Sequence, residues 1–187
     1  MRNKNFHKII LIVLFFIFKI NPTHSEQFEF DVTEIEILNN GNLYKGLNRG
    51  KIKSDKGIVI YANTFTYDKK TNEIYLSGNV KIEDEINKYI IFSDQAIYQK
   101  NNEKISTTGN SKAIDQENRI ITSDKFLYDK ILNTIEAEGN ALVENTKENY
   151  QLKSEKLKYY KKEEKIITFG NSEANINSKY NIVSKDV

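Results

Sequence analysis

At near-regular spacing in this chain a serine stands directly before an acidic residue, as Ser93–Asp94, Ser123–Asp124 and Ser154–Glu155, among six such pairs in all. A hydroxyl beside a carboxylate invites a nucleophilic reading, but such a hydroxyl needs a base to take its proton, most often histidine. The only histidines, His7 and His24, lie near the N-terminus, inside the stretch Met1 to Ser25. A catalytic serine repeated in successive copies of one unit also has no chemical purpose. The pairs fit a β-bulge better, where short polar side chains bond backbone groups that have left the ladder. Paired carboxylates such as Asp84 and Glu85 read as turn residues. There is no cysteine, and no calcium-loop spacing of the EF-hand or glycine-rich nonapeptide type. The residues therefore predict no enzyme, no metal site and no cofactor.

The spacing of those serines belongs to a larger pattern. A small residue recurs at Val32, Ala62, Ser93, Ser123, Ser154 and Ser184, in alternating steps of 30 and 31. Five residues after the middle four stands a tyrosine: Tyr67, Tyr98, Tyr128 and Tyr159. Eleven residues further on stands a Gly-Asn pair, beginning at Gly78, Gly109, Gly139 and Gly170, with isoleucine four residues before each glycine. Positions that hold phase over four copies mark an internal repeat.

One copy, Ile120 to Glu144, shows what the unit folds into. In its second half Ile135, Ala137, Gly139, Ala141 and Val143 share one parity, which predicts a straight strand with one dry face. In its first half Ile121 and Ser123 share a parity, while Phe126 and Tyr128 have the opposite one. Both pairs face one core only if a residue is inserted near Asp124, so a bulge and a bend are expected there. Polar segments between the halves suit hairpin turns. Phe28 to Leu38 is a first half-copy. Asn39 to Gly57, with glycines at 41, 46, 50 and 57, is expected to form short strands with wide turns. The glycines are expected to shape the sheet and bind nothing.

Composition narrows the function. At 29% charged and 39% hydrophobic residues, this is an ordinary soluble composition. Residues 1–25 read as a cleaved signal peptide: Arg2, Lys4 and Lys8 precede the apolar run Ile9 to Phe18, and Thr23 and Ser25 suit a cleavage site. That segment holds four of the 28 Lys and Arg and none of the 26 acids, leaving 24 against 26. Without a concentrated basic face, nucleic acid is not an expected partner. The Lys-rich run Lys153 to Lys165 reads as a solvated hairpin tip. Tyr180 to Val187 opens a sixth copy and stops mid-strand, as expected of a strand with an external partner or of a piece of a longer protein.

The segments TFTYDKKTNEIYLSGNVKIED (Thr64 to Asp84) and SDKFLYDKILNTIEAEGNALVE (Ser123 to Glu144) resemble the OstA-like family. That family comprises the periplasmic lipopolysaccharide-transport bridge protein and the N-terminal domain of the outer-membrane lipopolysaccharide-assembly protein. The resemblance covers Phe28 to Val187, and the start and stop of the repeat favour the assembly-protein domain. It implies an all-β antiparallel jellyroll over residues 26–187, with two sheets in an open V whose apolar interior takes lipid acyl chains. It further implies a periplasmic location near the outer membrane. Expected partners are lipopolysaccharide and related jellyroll domains or a second copy, paired through edge strands at Phe30 and Val183, with an outer-membrane barrel beyond.

The apolar face consists of Ile74, Leu76, Ile91, Tyr98, Ile105, Ile121, Phe126, Tyr128, Ile135, Leu157, Tyr159 and Ile166. On the residues alone this face is a filled core; the resemblance implies that it lines a lipid groove. Ala96, Ala113, Ala137, Ala141 and Ala174 recur on the same faces and leave room. A second reading also stays open, a structural β-solenoid of surface-fibre or adhesin type with no lipid ligand.

Overall fold

The computed structural model describes residues 28–177 and 179–184; the segment read as a signal peptide lies outside them. The described chain is nearly all strand: β1 (Phe28–Leu38), β2 (Leu43–Ser54), β3 (Ile58–Ala62), β4 (Thr64–Asp68), β5 (Glu73–Asp84), β6 (Tyr89–Gln99), β7 (Lys104–Asp115), β8 (Ile120–Asp129), β9 (Thr134–Asn145), β10 (Tyr150–Tyr160), β11 (Lys165–Ile176) and β12 (Tyr180–Ser184). Each strand pairs antiparallel with the next, and β3 and β4 act as the two halves of one strand between β2 and β5. The result is a single meandering sheet. Antiparallel hairpins throughout rule out the solenoid reading, because stacked coils pair in parallel.

The sheet is creased along one line. At β7/β8, Thr108 pairs with Lys125 and Ser111 with Ser123, so Gly109 and Asn110 together face Asp124 alone. The same two-against-one step occurs where Gly139 and Asn140 face Glu155, and where Gly170 and Asn171 do. It also occurs where Asn48 and Arg49 face Thr33. Gly139 and Asn140 both have left-handed backbone, φ +79° and +50°, which turns the strand sharply. The second-half strands, expected to run straight, therefore carry the larger share of the bend. First-half strands bend at Asn63, Asp94, Asp124 and Glu155, each within a residue of the expected position. The crease separates two walls. Wall 1 runs from the crease to the turns around residues 55, 86, 117 and 147 and to the turn that begins at 177, and wall 2 to the turns around 40, 70, 101, 131 and 162.

The serine–acid pairs sit on this crease, as the bulge reading expects. The Ser93, Ser123 and Ser154 hydroxyls donate to the carbonyls of Gln95, Lys125 and Lys156, at 2.9, 2.6 and 2.9 Å. The acidic partners accept from the asparagine of the opposing bulge: Asn110 to Asp94 at 2.8 Å, Asn140 to Asp124 at 3.0 Å and Asn171 to Glu155 at 3.0 Å.

The stretch Asn39 to Gly57 departs from expectation. Most of it is the long β2, and two of its glycines exist for packing. A Cβ at Gly46 would overlap the Phe65 ring, and one at Gly50 would lie 2.6 Å from Val32 Cγ1. The crease geometry makes a sharp stability contrast. At Gly139 a methyl group meets both a positive φ and the Asp124 carboxylate, whereas at Gly41 (φ +83°) it meets open space. Gly139→Ala is expected to cost about 2–3 kcal/mol and Gly41→Ala about 1 kcal/mol, read from denaturant midpoints.

Candidate functional site

The meander aligns the repeat into ladders that cross the sheet inside the crease. One runs Tyr44–Tyr67–Ile74–Tyr98–Ile105–Tyr128–Ile135–Tyr159–Ile166, each residue the register partner of the next. On wall 1 its counterpart runs Phe30–Ile52–Ile60–Ile82–Ile91–Ala113–Ile121–Val143–Leu152–Ala174–Ile182. Eleven of the twelve residues expected on the apolar face lie in these and neighbouring inward rows and are fully buried; Ile166 is partly buried against them. Along the middle of the chain the interior is thus filled by side chains. Ala96, Ala113, Ala137 and Ala141 are themselves buried, so core neighbours occupy the room beside them.

The two ends of the interior differ. At the N-terminal end aromatic rings close it: Phe28 meets Tyr67 edge-on at 4.9 Å, and Phe30 stacks on Phe65 at 5.4 Å and on Tyr44 at 6.0 Å. Toward β11 and β12 the filling thins. Leu152, Ile166, Ala174 and Ile176 are half-buried, and on β12 Tyr180 and Ile182 are 64% and 56% exposed. A cleft of about 300 Å³ opens there between Tyr150, Leu152, Ile166, Ala174 and Ile176, with Arg119, Glu148 and Glu164 at its rim. Wider clefts of about 560 and 650 Å³ follow the crease, where bulge asparagines, acids and serines stand beside apolar residues such as Ala141, Leu142, Val80 and Phe92. The C-terminal mouth is distinguished by its lining, since Leu152, Ile166 and Ala174 belong to the inward rows.

The ends of the sheet are β1 and β12, each paired on one side only among the described residues. Val183 lies on β12 with its side chain exposed. Phe30 is on the β1 edge strand, but its ring points into the aromatic cluster.

Along the side opposite the crease, the turns of the two walls meet. The Tyr128 hydroxyl donates to Asp84 Oδ2 at 2.7 Å, and Asn87 Nδ2 donates to the Tyr128 oxygen and to the Lys130 carbonyl, both at 2.9 Å. Lys161 Nζ reaches back to the Asn87 carbonyl at 2.6 Å and lies over the Tyr89 ring. One repeat further, Arg119 donates to the Tyr159 hydroxyl and pairs with Asp115. One repeat earlier, Lys100 pairs with Asp55 at 2.6 Å. Sequence reasoning missed this seam. It took Asp84 for a plain turn residue and the Lys161 region for a solvated tip, yet Asp84 and Arg119 are buried. A signal was present in the phase of Asp84, Asp115 and Asn145, which begin successive wall 1 turns. Each accepts backbone N–H bonds within its own turn.

Burial raises the pKa of the seam and core tyrosines. For Tyr89 and Tyr98 desolvation is the main cause, and for Tyr128 desolvation is joined by the neighbouring Asp84 charge. Burial also lowers Lys161, against the pull of Asp115 and Glu117. A folded pKa above the unfolded value gives stability that is complete below the unfolded pKa and lost as pH rises through the folded one. Near-ultraviolet absorbance titration should therefore find Tyr89, Tyr98 and Tyr128 un-ionised through the range around pH 10 where exposed tyrosines lose their proton. They should ionise only together with alkaline unfolding.

The family described as "LptA/(LptD N-terminal domain) LPS transport protein" matches residues 59–187. Among solved structures, the chain is similar to LptH, the LptA-homologous periplasmic component of the lipopolysaccharide transport device of Pseudomonas aeruginosa. The TM-score is 0.54 at 13% identity, over 60% of this chain and 82% of that one, a likeness of fold alone. No curated protein matches in sequence. With more than half of its length inside the family match, this chain belongs to the LptA/LptD N-terminal domain family of lipopolysaccharide transport proteins.

Proposed function

We propose that this chain carries lipopolysaccharide through the periplasm toward the outer membrane, with the acyl chains held on the inner face of the creased sheet. The observation that carries this reading is the unbroken apolar inner face, which runs from strand to strand and emerges at the β10–β12 mouth. A methylene moved there from water gains about 0.8 kcal/mol, so part of one chain gives useful affinity with no charged or catalytic group. Residues 26–187 form the carrying domain, exported by a signal peptide at 1–25. The half-buried Leu152, Ile166 and Ile176 meet the lipid first, and Tyr98, Ile105, Phe126, Tyr128 and Ile135 line the path deeper in.

The free edges of β1 and β12 pair with related jellyroll domains or with a second copy, which extends the inner face beyond this chain. An outer-membrane barrel is the expected end of that chain of modules.

A photo-reactive residue at Ile166 should label purified rough lipopolysaccharide strongly, and one at the outward Glu136 weakly. Equal labelling at both positions would remove the groove from the account. Phe126→Asp should abolish capture, since an unpaired carboxylate in that interior is costly, whereas Glu138→Ala should leave capture nearly intact. For assembly, a photo-reactive residue at Val183 should give adducts between chains; adducts from mid-sheet positions alone would reject edge pairing.

A further inference from the structure

We infer that the outer face of wall 1 is a membrane-docking surface, which lays the domain against a bilayer that carries anionic phospholipid. This goes beyond the lipid-carrying reading above and does not depend on it, since the inner face takes no part.

The wall 1 halves of the strands break the alternation expected of a sheet with one wet side. Ile58 to Tyr61 (IVIY) and Tyr89 to Phe92 (YIIF) are apolar at four successive positions, whereas Ile135 to Glu138 on wall 2 alternates strictly. A continuous apolar run is the mark of a strand covered on both faces. Ile58, Ile60, Tyr89 and Ile91 face inward and fill the core. The outward members form rows of their own. Val59, Ile90, Ile114 and Ile120 share one register row, with Glu83 between the first two. Nearer the crease Lys51, Tyr61, Lys81, Phe92 and Lys112 are successive partners, and past Thr122 the row goes on to Leu142 and Lys153. Ile90 is exposed, and Tyr61, Phe92, Ile114, Ile120 and Leu142 are half-buried.

Charge separates the two outer faces. On wall 2 lysines answer acids: Lys45 pairs with Glu36, Lys104 with Asp129, and Lys156 and Lys158 with Glu136. On wall 1 Lys81 reaches Glu83 at 2.6 Å, but Lys51, Lys53, Lys112 and Lys153 form no ion pair among the described residues. Lys51 and Lys81 lie over the Tyr61 ring, 5.6 and 5.5 Å from its centre, so their stems run along the apolar face. Asp31 on β1 and Glu173 on β11 close the row at either end and bound the positive stretch.

Apolar rows and unpaired lysines together select the occupant. Lysine is depleted from the centres of protein–protein interfaces, yet here it takes every second place from Lys51 to Lys112. Two copies meeting through this face would oppose like charges. Nucleic acid would match the lysines but leave the row of isoleucines in water. A bilayer surface satisfies both, because rings and aliphatic groups enter its headgroup layer while the ammoniums meet lipid phosphates. Docked in this way, the domain keeps its β1 and β12 edges and the β10–β12 mouth free.

The chain contains no tryptophan, so a single introduced one reports the contact. In the exported protein, purified from the periplasm, the fluorescence of Phe92→Trp should shift to the blue on vesicles of phosphatidylethanolamine and phosphatidylglycerol. Leu127→Trp, on the outer face of wall 2, should not shift. Lys112→Glu with Lys153→Glu should weaken co-sedimentation with those vesicles by about tenfold or more. Lys125→Glu with Lys165→Glu makes the same change of net charge on wall 2 and should alter it by less than about twofold. Vesicles of phosphatidylcholine alone should sediment none of these proteins. Equal losses in the two double variants, or a shift at both tryptophans, would mean diffuse attraction and overturn the docking face. Failure of the unmodified protein to bind the anionic vesicles would overturn it as well. A blue shift of Phe92→Trp that grows with protein concentration in the absence of vesicles would give the face to a second copy instead. Lipopolysaccharide labelling at Ile166 is read separately, so either reading can fail while the other stands.

Discussion

Everything in this molecule depends on the two-against-one bulge. An antiparallel sheet of this many strands would otherwise twist into an open ribbon with one face in water. Inserting two left-handed residues in every second strand, against one acidic or small residue in its neighbours, folds the sheet along a line and turns one face inward. Opposite Asp94, Asp124 and Glu155 the device takes a residue without Cβ, because the facing carboxylate occupies the space a methyl group would take. It also needs a residue that tolerates positive φ and can hydrogen-bond sideways, which asparagine supplies to Asp94, Asp124 and Glu155. The short Gly-Asn signature of the repeat is therefore a folding instruction for the crease. The serine beside each acid bridges the backbone across its own bulge.

Parity explains which parts of this were legible in the sequence. A single inserted residue flips the alternation, so the bends at Asp94, Asp124 and Glu155 show as apolar pairs that change phase. Two inserted residues restore the alternation, so Ile135, Ala137, Ala141 and Val143 read as one straight strand although the sharper turn lies between them. In β2 the same step uses Asn48 and Arg49, with no glycine to mark it. The glycines that are present there, Gly46 and Gly50, serve to admit the Phe65 ring and the Val32 side chain. A glycine-rich stretch thus reads as loose when it is tightly packed.

The inner face was legible because period two and a repeat near thirty residues both point to it. The seam was not, since its partners stand 40 to 74 residues apart and belong to different copies. Nothing local distinguishes Asp84, which crosses to Tyr128, from Asp68, which caps its own turn through the Lys70 N–H. Only closure of the crease brings the wall 1 turns over the tyrosines of wall 2. The tyrosine hydroxyls then gain their partners at the rim, while the rings stay with the isoleucines below.

The regularity of the ladder bears on how such a face would serve transport. Neighbouring strands lie about 4.8 Å apart, and along the inner row tyrosine and isoleucine alternate from Tyr67 to Ile166 without interruption. A hydrocarbon chain shifted by two strands meets the same side chains in the same order, so its binding energy hardly changes with position. A site built for retention concentrates its contacts at one place and holds its ligand there. A repeating row spreads equal contacts along a path, which leaves only small barriers to sliding. On the proposed reading, the internal repeat is thus both what folds the sheet and what keeps the path level. The filled centre follows from the same logic: the tyrosines and isoleucines that close on one another are the groups a passing chain would displace, and they re-form identical contacts behind it.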